Sequence, residues 1–191
     1  MAKYEDLVSR VAIHVSPCPE AAILDAIRHI VRDFCMQTKG WIADLTPVDV
    51  QDDQLIYPLS VPDDSTIIHV WGVNGRTGCY EANPQYYLSH ANTISFNEKA
   101  PKQQQLKPLV SLMPAMSSDD FPDYLVEFFE ESLIYGAVAY LQAQPFRDWS
   151  QPNAVDYHKQ QYLQGIQSAI QKRDEGLNRS KTRNKVRAQY I

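Results

Sequence analysis

Cysteine is scarce in this chain of 191 residues: Cys18, Cys35 and Cys79 are an odd three and form no CxxC pair. A disulfide framework is therefore excluded as an organising device, and reduced, buried thiols are expected. No run approaches the roughly eighteen uninterrupted apolar residues of a membrane span. The opening MAKYEDLVSR lacks the basic-then-apolar pattern of a signal peptide. These absences predict a soluble protein made in a cytoplasm, with no membrane contact. Catalytic signatures are missing too. His14, His29, His69, His90 and His158 are scattered, with no HExxH and no His-Cys grouping at zinc spacing. There is no GxSxG, and GVNGRTG lacks the following helix or Lys-Ser/Thr pair of a phosphate loop. Neither metal nor cofactor is expected.

What is present is enough apolar material, 44% of residues, for a folded core, so disorder throughout is not expected. The charge is unevenly distributed. The last fifteen residues hold Arg179, Lys181, Arg183, Lys185 and Arg187 and no acid, while the other 176 carry a formal charge of −10. An acidic body thus carries a basic tail.

The hydrophobic period divides the chain. In PEAAILDAIRHIVRDFCMQTKG, Ile23, Ile27, Ile30 and Phe34 recur at helical spacing, with Pro19 at the start and Gly40 at the stop, predicting a helix over about 19–38. Tyr4 to Arg10 is read as a short helix leading into the loop VAIHVSP. After Gly40 the runs WIADL, QLIYPL, TIIHVWGV, YYLSH and PLVSLM alternate with turn signals and predict strands, with Asn74-Gly75 as a hairpin turn. From Ser117 the helical period returns. Ser118, Asp119 and Asp120 are cap candidates there, and Leu125, Phe129, Leu133, Gly136, Ala137 and Tyr140 form the expected inner face. A last helix over about 152–175 would turn Ala154, Tyr157, Gln161, Gly165, Ile166, Ala169 and Ile170 inward. Gly136-Ala137 and Gly165 with Ala169 are small enough to let these two helices approach closely.

The expected fold is therefore α+β. It comprises an antiparallel helical bundle (1–40 and 117–176), an inserted antiparallel β segment (41–116) and an extended basic arm (177–191). Between the last two helices, QPFRDWSQP reads as a rigid elbow. Pro145 ends one helix, Pro152 starts the next, and Phe146 and Trp149 sit where a hydrophobic plug would fix the angle. Core filling is favoured over a ligand-stacking role for Trp149.

Two carboxylate groups, Asp119, Asp120 and Asp123, and Glu127, Glu130 and Glu131, are better explained by helix capping and a polar helix face than by acid–base catalysis. The tail points to a partner. Basic residues at every second position from 179 to 187 share one side of an extended strand. At roughly 3.3 Å per residue the arm reaches roughly 45 to 50 Å. A solvated terminus is the alternative; Val186, Tyr190 and Ile191 favour docking because they supply apolar anchors.

A helix ending in RDFCMQTKGW, the segment LTPVDVQDDQLIYPLSVPDDSTIIHVWGVNGR, the run from PLVSLMPAM through FPDYL, YGAVAYL and PFRDWSQP to QKR, and a basic C-terminus follow one another in that order. In this arrangement, over nearly its whole length, the chain resembles the head-to-tail adaptor proteins of tailed bacteriophages. The resemblance implies a non-enzymatic virion protein at the head–tail junction. Such adaptors form a ring, typically of twelve subunits, under the portal protein, and offer a platform to a tail or nozzle protein. Genomic DNA passes through the lumen without specific binding. It also implies that Arg179, Lys181, Arg183, Lys185, Val186, Arg187, Tyr190 and Ile191 form the portal-binding arm. A nucleic-acid-binding role for the same tail is the alternative, and an enzyme using Asp123 or Glu127, such as a cell-wall hydrolase, ranks third.

Overall fold

The computed structural model describes residues 1–51, 54–73, 86–90, 92–96 and 105–178. The Asn74-Gly75 turn, Cys79 and the arm beyond Asn178 lie outside the described residues. Among the described residues the architecture is α+β, with four helices and small antiparallel sheets.

Helices α1 (Glu5–Val15) and α2 (Glu20–Thr38) come first. The first is longer than its sequence suggests. VAIHV looks like loop because it is rich in β-branched residues, yet Leu7, Val11 and Val15 recur every four residues and are all buried, which keeps the chain helical. In α2 the stripe Ile23, Ile27, Ile30 and Phe34 faces the core as expected. It ends at Thr38 as expected, but Lys39 rather than Gly40 takes the left-handed conformation (φ 51°) and returns its N–H to the Cys35 carbonyl at 2.8 Å. Cys18 and Cys35 are free thiols, and burial pushes the Cys35 thiol up to about 12, so it stays protonated.

All five strand-like runs are strands: β2 (Ile42–Asp44), β4 (Ile56–Pro58), β5 (Ser65–Gly72), β6 (Tyr86–His90) and β9 (Leu109–Pro114). The additional strands are β1 (Ala2–Lys3), β3 (Val48–Asp49), β7 (Thr93–Phe96), β8 (Gln105–Leu106) and β10 (Asp120–Phe121). Strand β9 is central to a three-stranded sheet, flanked by β2 and β5, while β7 lies between β4 and β6. Pairs β3–β8 and β1–β10 complete the set. The β1–β10 pair corrects the capping expectation. Asp120 aligns with Lys3 in this ladder, and helix α3 begins only at Asp123, with Pro122 at its cap position and no side-chain cap bond.

Two apolar clusters result. The helical one joins Tyr4, Leu7, Ile27, Phe34, Leu125 and Leu133, among others; the second gathers Tyr57, Ile67, Ile94, Leu106, Val110 and Leu112 within the strands. Tyr57 is fully buried there, and its hydroxyl donates to the Gln54 carbonyl at 2.8 Å.

Helices α3 (Asp123–Gln142) and α4 (Pro152–Asn178) approach each other closely. On α3 the expected inner residues are buried except Tyr140, which is exposed; Ile134, Val138, Leu141 and Gln142 are buried as well, so this helix is covered on several sides. On α4 the inward stripe is His158, Tyr162, Gly165, Ile166 and Ala169, and Tyr157 faces out. The glycines set the approach. A Cβ on Gly165 would lie 1.9 Å from Ser132 Oγ and 2.3 Å from its Cβ; one on Gly136 would lie 2.7 Å from Ile30 Cγ2 and 2.8 Å from the Tyr162 ring.

This contact makes a paired prediction. Gly165→Ala forces the helices apart and should lower stability by about 1–3 kcal/mol, as overpacking does. Gly176→Ala, where an added Cβ meets nothing within 4 Å, should raise stability by about 0.5–1 kcal/mol through helix propensity. Urea unfolding of both variants checks the opposite signs.

Candidate interaction surfaces

The α3–α4 pair has two ends, and each is tied to the rest of the chain by a polar network. At the elbow end the hub is Gln142, the last residue of α3, 1% exposed. Its amide nitrogen donates to the His14 carbonyl at 3.1 Å and its oxygen accepts from His158 Nδ1 at 2.9 Å. Its backbone carbonyl accepts from Gln151 N at 3.2 Å and Ser150 Oγ at 3.2 Å. One buried amide thus joins the end of α1, the elbow and the start of α4. Sequence reasoning missed it because a lone glutamine in an amphipathic helix reads as surface. The ring of His158 stacks on Tyr135 at 5.6 Å and meets His14 edge-on at 5.9 Å. Burial, and then the neighbouring His14, lower its pKa from the ordinary 6.5.

Within the elbow, Pro145 is exposed two residues past the Ala143 cap, and Pro152 is the first residue of α4. Trp149 is partly buried against the helical core, with the Arg147 guanidinium 5.6 Å from its ring centre. Phe146 does not plug the corner. It is 102% exposed and holds a left-handed φ of 60°. The tight turn inverts the backbone at this residue, which turns its side chain away from the core while Trp149 turns in.

At the sheet end, Ser111 on β9 donates its hydroxyl to the Lys39 carbonyl at 2.7 Å and accepts from Trp71 Nε1 at 2.7 Å. Arg173, near the end of α4, lies with its guanidinium 5.3 Å from the Trp71 ring centre and donates to the Thr38 carbonyl at 2.5 Å. It also pairs with Asp174 at 2.7 Å. His69 packs edge-on against Trp71 at 4.6 Å, and its pKa is lowered by burial, then by the charges of Lys39 and Arg173. The last turns of α4 are therefore fastened to the junction of helices and sheet. Beside this network a groove of about 230 Å³ opens between Thr38, Gly40, Tyr124, Phe128, Lys172 and Arg173.

Of the expected site residues, the elbow set lies together at one end, whereas Arg179, Lys181, Arg183, Lys185, Val186, Arg187, Tyr190 and Ile191 lie outside the described residues. The first two positions assigned to the arm, 177 and 178, continue α4. The carboxylate groups are dispersed: Asp119 pairs with Arg28 at 3.0 Å and Glu130 pairs with Arg10. Among the described residues no three His, Cys, Asp or Glu side chains are grouped to hold a metal ion, and no helix is long and apolar enough to cross a membrane.

The SU10 adaptor protein family model matches residues 2–187, and the chain belongs to that family: it is a structural adaptor of a phage, placed in the virion and interacting with other proteins of the phage head or tail. None of the curated proteins compared matches the chain.

The histidines make a pH prediction. In the folded state His158 and His69 hold protons less tightly than in the unfolded chain, so the unfolded state binds the extra proton as pH falls through 6.5. Stability should be fully present above that value and decline below it. His158→Gln should flatten its share of the slope in urea titrations across that range.

Proposed function

We propose that the chain is a head-to-tail adaptor. Copies form a ring, expected to be a dodecamer, beneath the portal and link the capsid to the tail. The observation that carries this reading is the family match, which spans nearly the whole chain. A structural adaptor of this kind has a non-enzymatic role.

In this reading the arm docks on the portal protein through the basic series Arg179 to Arg187 and the apolar Val186, Tyr190 and Ile191. The sheet end supports it: Arg173 fastens the last turns of α4 to Thr38 and Trp71, so the arm starts from a rigid point. The distal face takes a tail or nozzle protein. DNA passes through the lumen, and the acidic body suits a wall that does not retain it, since nonspecific affinity scales with the phosphates neutralised. Many weak contacts around a closed ring add up to durable attachment.

The test is binding of the full chain, and of a chain ending at Asn178, to the portal ring, imaged by electron microscopy. Added ring density with the full chain alone is the expected result. Density with both variants moves the contact from the arm to the body; density with neither overturns the adaptor reading.

A further inference from the structure

Two features at opposite ends of the α3–α4 pair are not accounted for by packing within the chain. The first is the elbow tip. Phe146 is wholly exposed, with a backbone conformation that bulky residues rarely adopt. The turn beneath it is held by Ser150 N–H to the Arg147 carbonyl (3.0 Å) and Gln151 N–H to the Gln142 carbonyl (3.2 Å). Asp148, two residues on, is exposed and makes no ion pair among the described residues.

The second is the groove at the sheet end. Phe128 is 61% exposed at its wall. The Lys172 ammonium sits 4.5 Å from the centre of that ring and 5.1 Å from that of Phe129, and it too makes no ion pair among the described residues. The Tyr124 hydroxyl is buried there without a hydrogen-bond partner. An aromatic-walled cleft with a cation that no carboxylate pairs among the described residues fits an aromatic side chain next to a carboxylate.

The elbow tip has that chemistry. We propose that Phe146 of one copy seats against Phe128 and Lys172 in the groove of the next, with Asp148 facing Lys172. The basic segment 179–191 is the poorer occupant, because Lys172 and Arg173 repel it. Tip and groove lie about 20 Å apart along α3, so the contact is heterologous: each copy offers one of each, and the series closes into a ring if the rotation allows. This rests on the ring reading above and supplies one of its contacts.

The first measurement is a photo-crosslink. A benzophenone amino acid replaces Phe146 in ring assemblies formed by the free chain or on the portal, with light and heavy copies mixed to mark intermolecular products. The expected product joins position 146 to residues 124–129 or 172 of another copy. Rings whose crosslinks land elsewhere overturn this contact and leave the ring reading standing; failure of rings to form under either condition overturns the ring reading and this contact with it.

Variants give a second reading by sedimentation velocity. Phe146→Ala and Lys172→Glu should each weaken self-association about tenfold or more, with circular dichroism and melting unchanged. An equal mixture of the two should recover pairs but no larger species, and Asp148→Lys should rescue Lys172→Glu. Wild-type association by Phe146→Ala, or no recovery on mixing, overturns the proposal.

Discussion

The close approach of α3 and α4 is the constraint on which the rest depends. It is set by two hydrogens in place of side chains: at Gly165 the helix axis is near enough to Ser132 that no Cβ fits, and at Gly136 the space is taken by Ile30 and the Tyr162 ring. With the helices this close, Tyr162 reaches across to donate its hydroxyl to Asp33 on α2 at 2.7 Å. The pair thereby also sets the position of α2, and through the end of α2 that of the sheet. Interiors pack like crystals, so a displacement at one such contact is transmitted rather than absorbed.

Both ends of the pair are closed by polar atoms that water does not reach freely. Gln142 spends its side-chain amide on His14 of α1, Gln151 of the elbow and His158 of α4; Arg173 spends its guanidinium on Thr38 and Trp71 at the sheet. A buried donor or acceptor left without a partner is costly, so each network is close to all-or-none. This gives the adaptor a stiff strut between two ends, the elbow and the junction of helices and sheet. A structural adaptor has to hold geometry between partners rather than stabilise a transition state, and polar side chains here are spent on fastening segments.

Much of this was legible in the residues. The α2 stripe, the five strand runs and the small residues at the α3–α4 contact follow from local spacing and side-chain size, and they appear in the structure where they were expected. The misreadings share a cause. Ser118, Asp119 and Asp120 look like a helix cap because capping is a local signal, but Asp120–Phe121 pairs with Ala2–Lys3 at the far end of the chain. The inward stripe of α4 runs through His158 and Tyr162 rather than Tyr157 and Gln161. Polar-tipped side chains carry little periodic signal, and only their partners, Gln142 and Asp33, draw them inward. Phe146 reads as core by hydrophobicity alone, whereas the turn geometry turns it out.

Composition and order alone settled the broad class. The period changes once from helix to strand and once back, and the sequence of those segments carries the resemblance that the family match shares. The tertiary structure decided which residues meet. The Gln142 hub, the Trp71–Arg173–Thr38 junction and the groove beside Tyr124 each draw on segments far apart in the chain, brought together only when β9 docks beside α2 and α4 crosses α3. Local spacing specifies how one segment turns; contacts between segments depend on the summed packing of all of them, which no single stretch encodes.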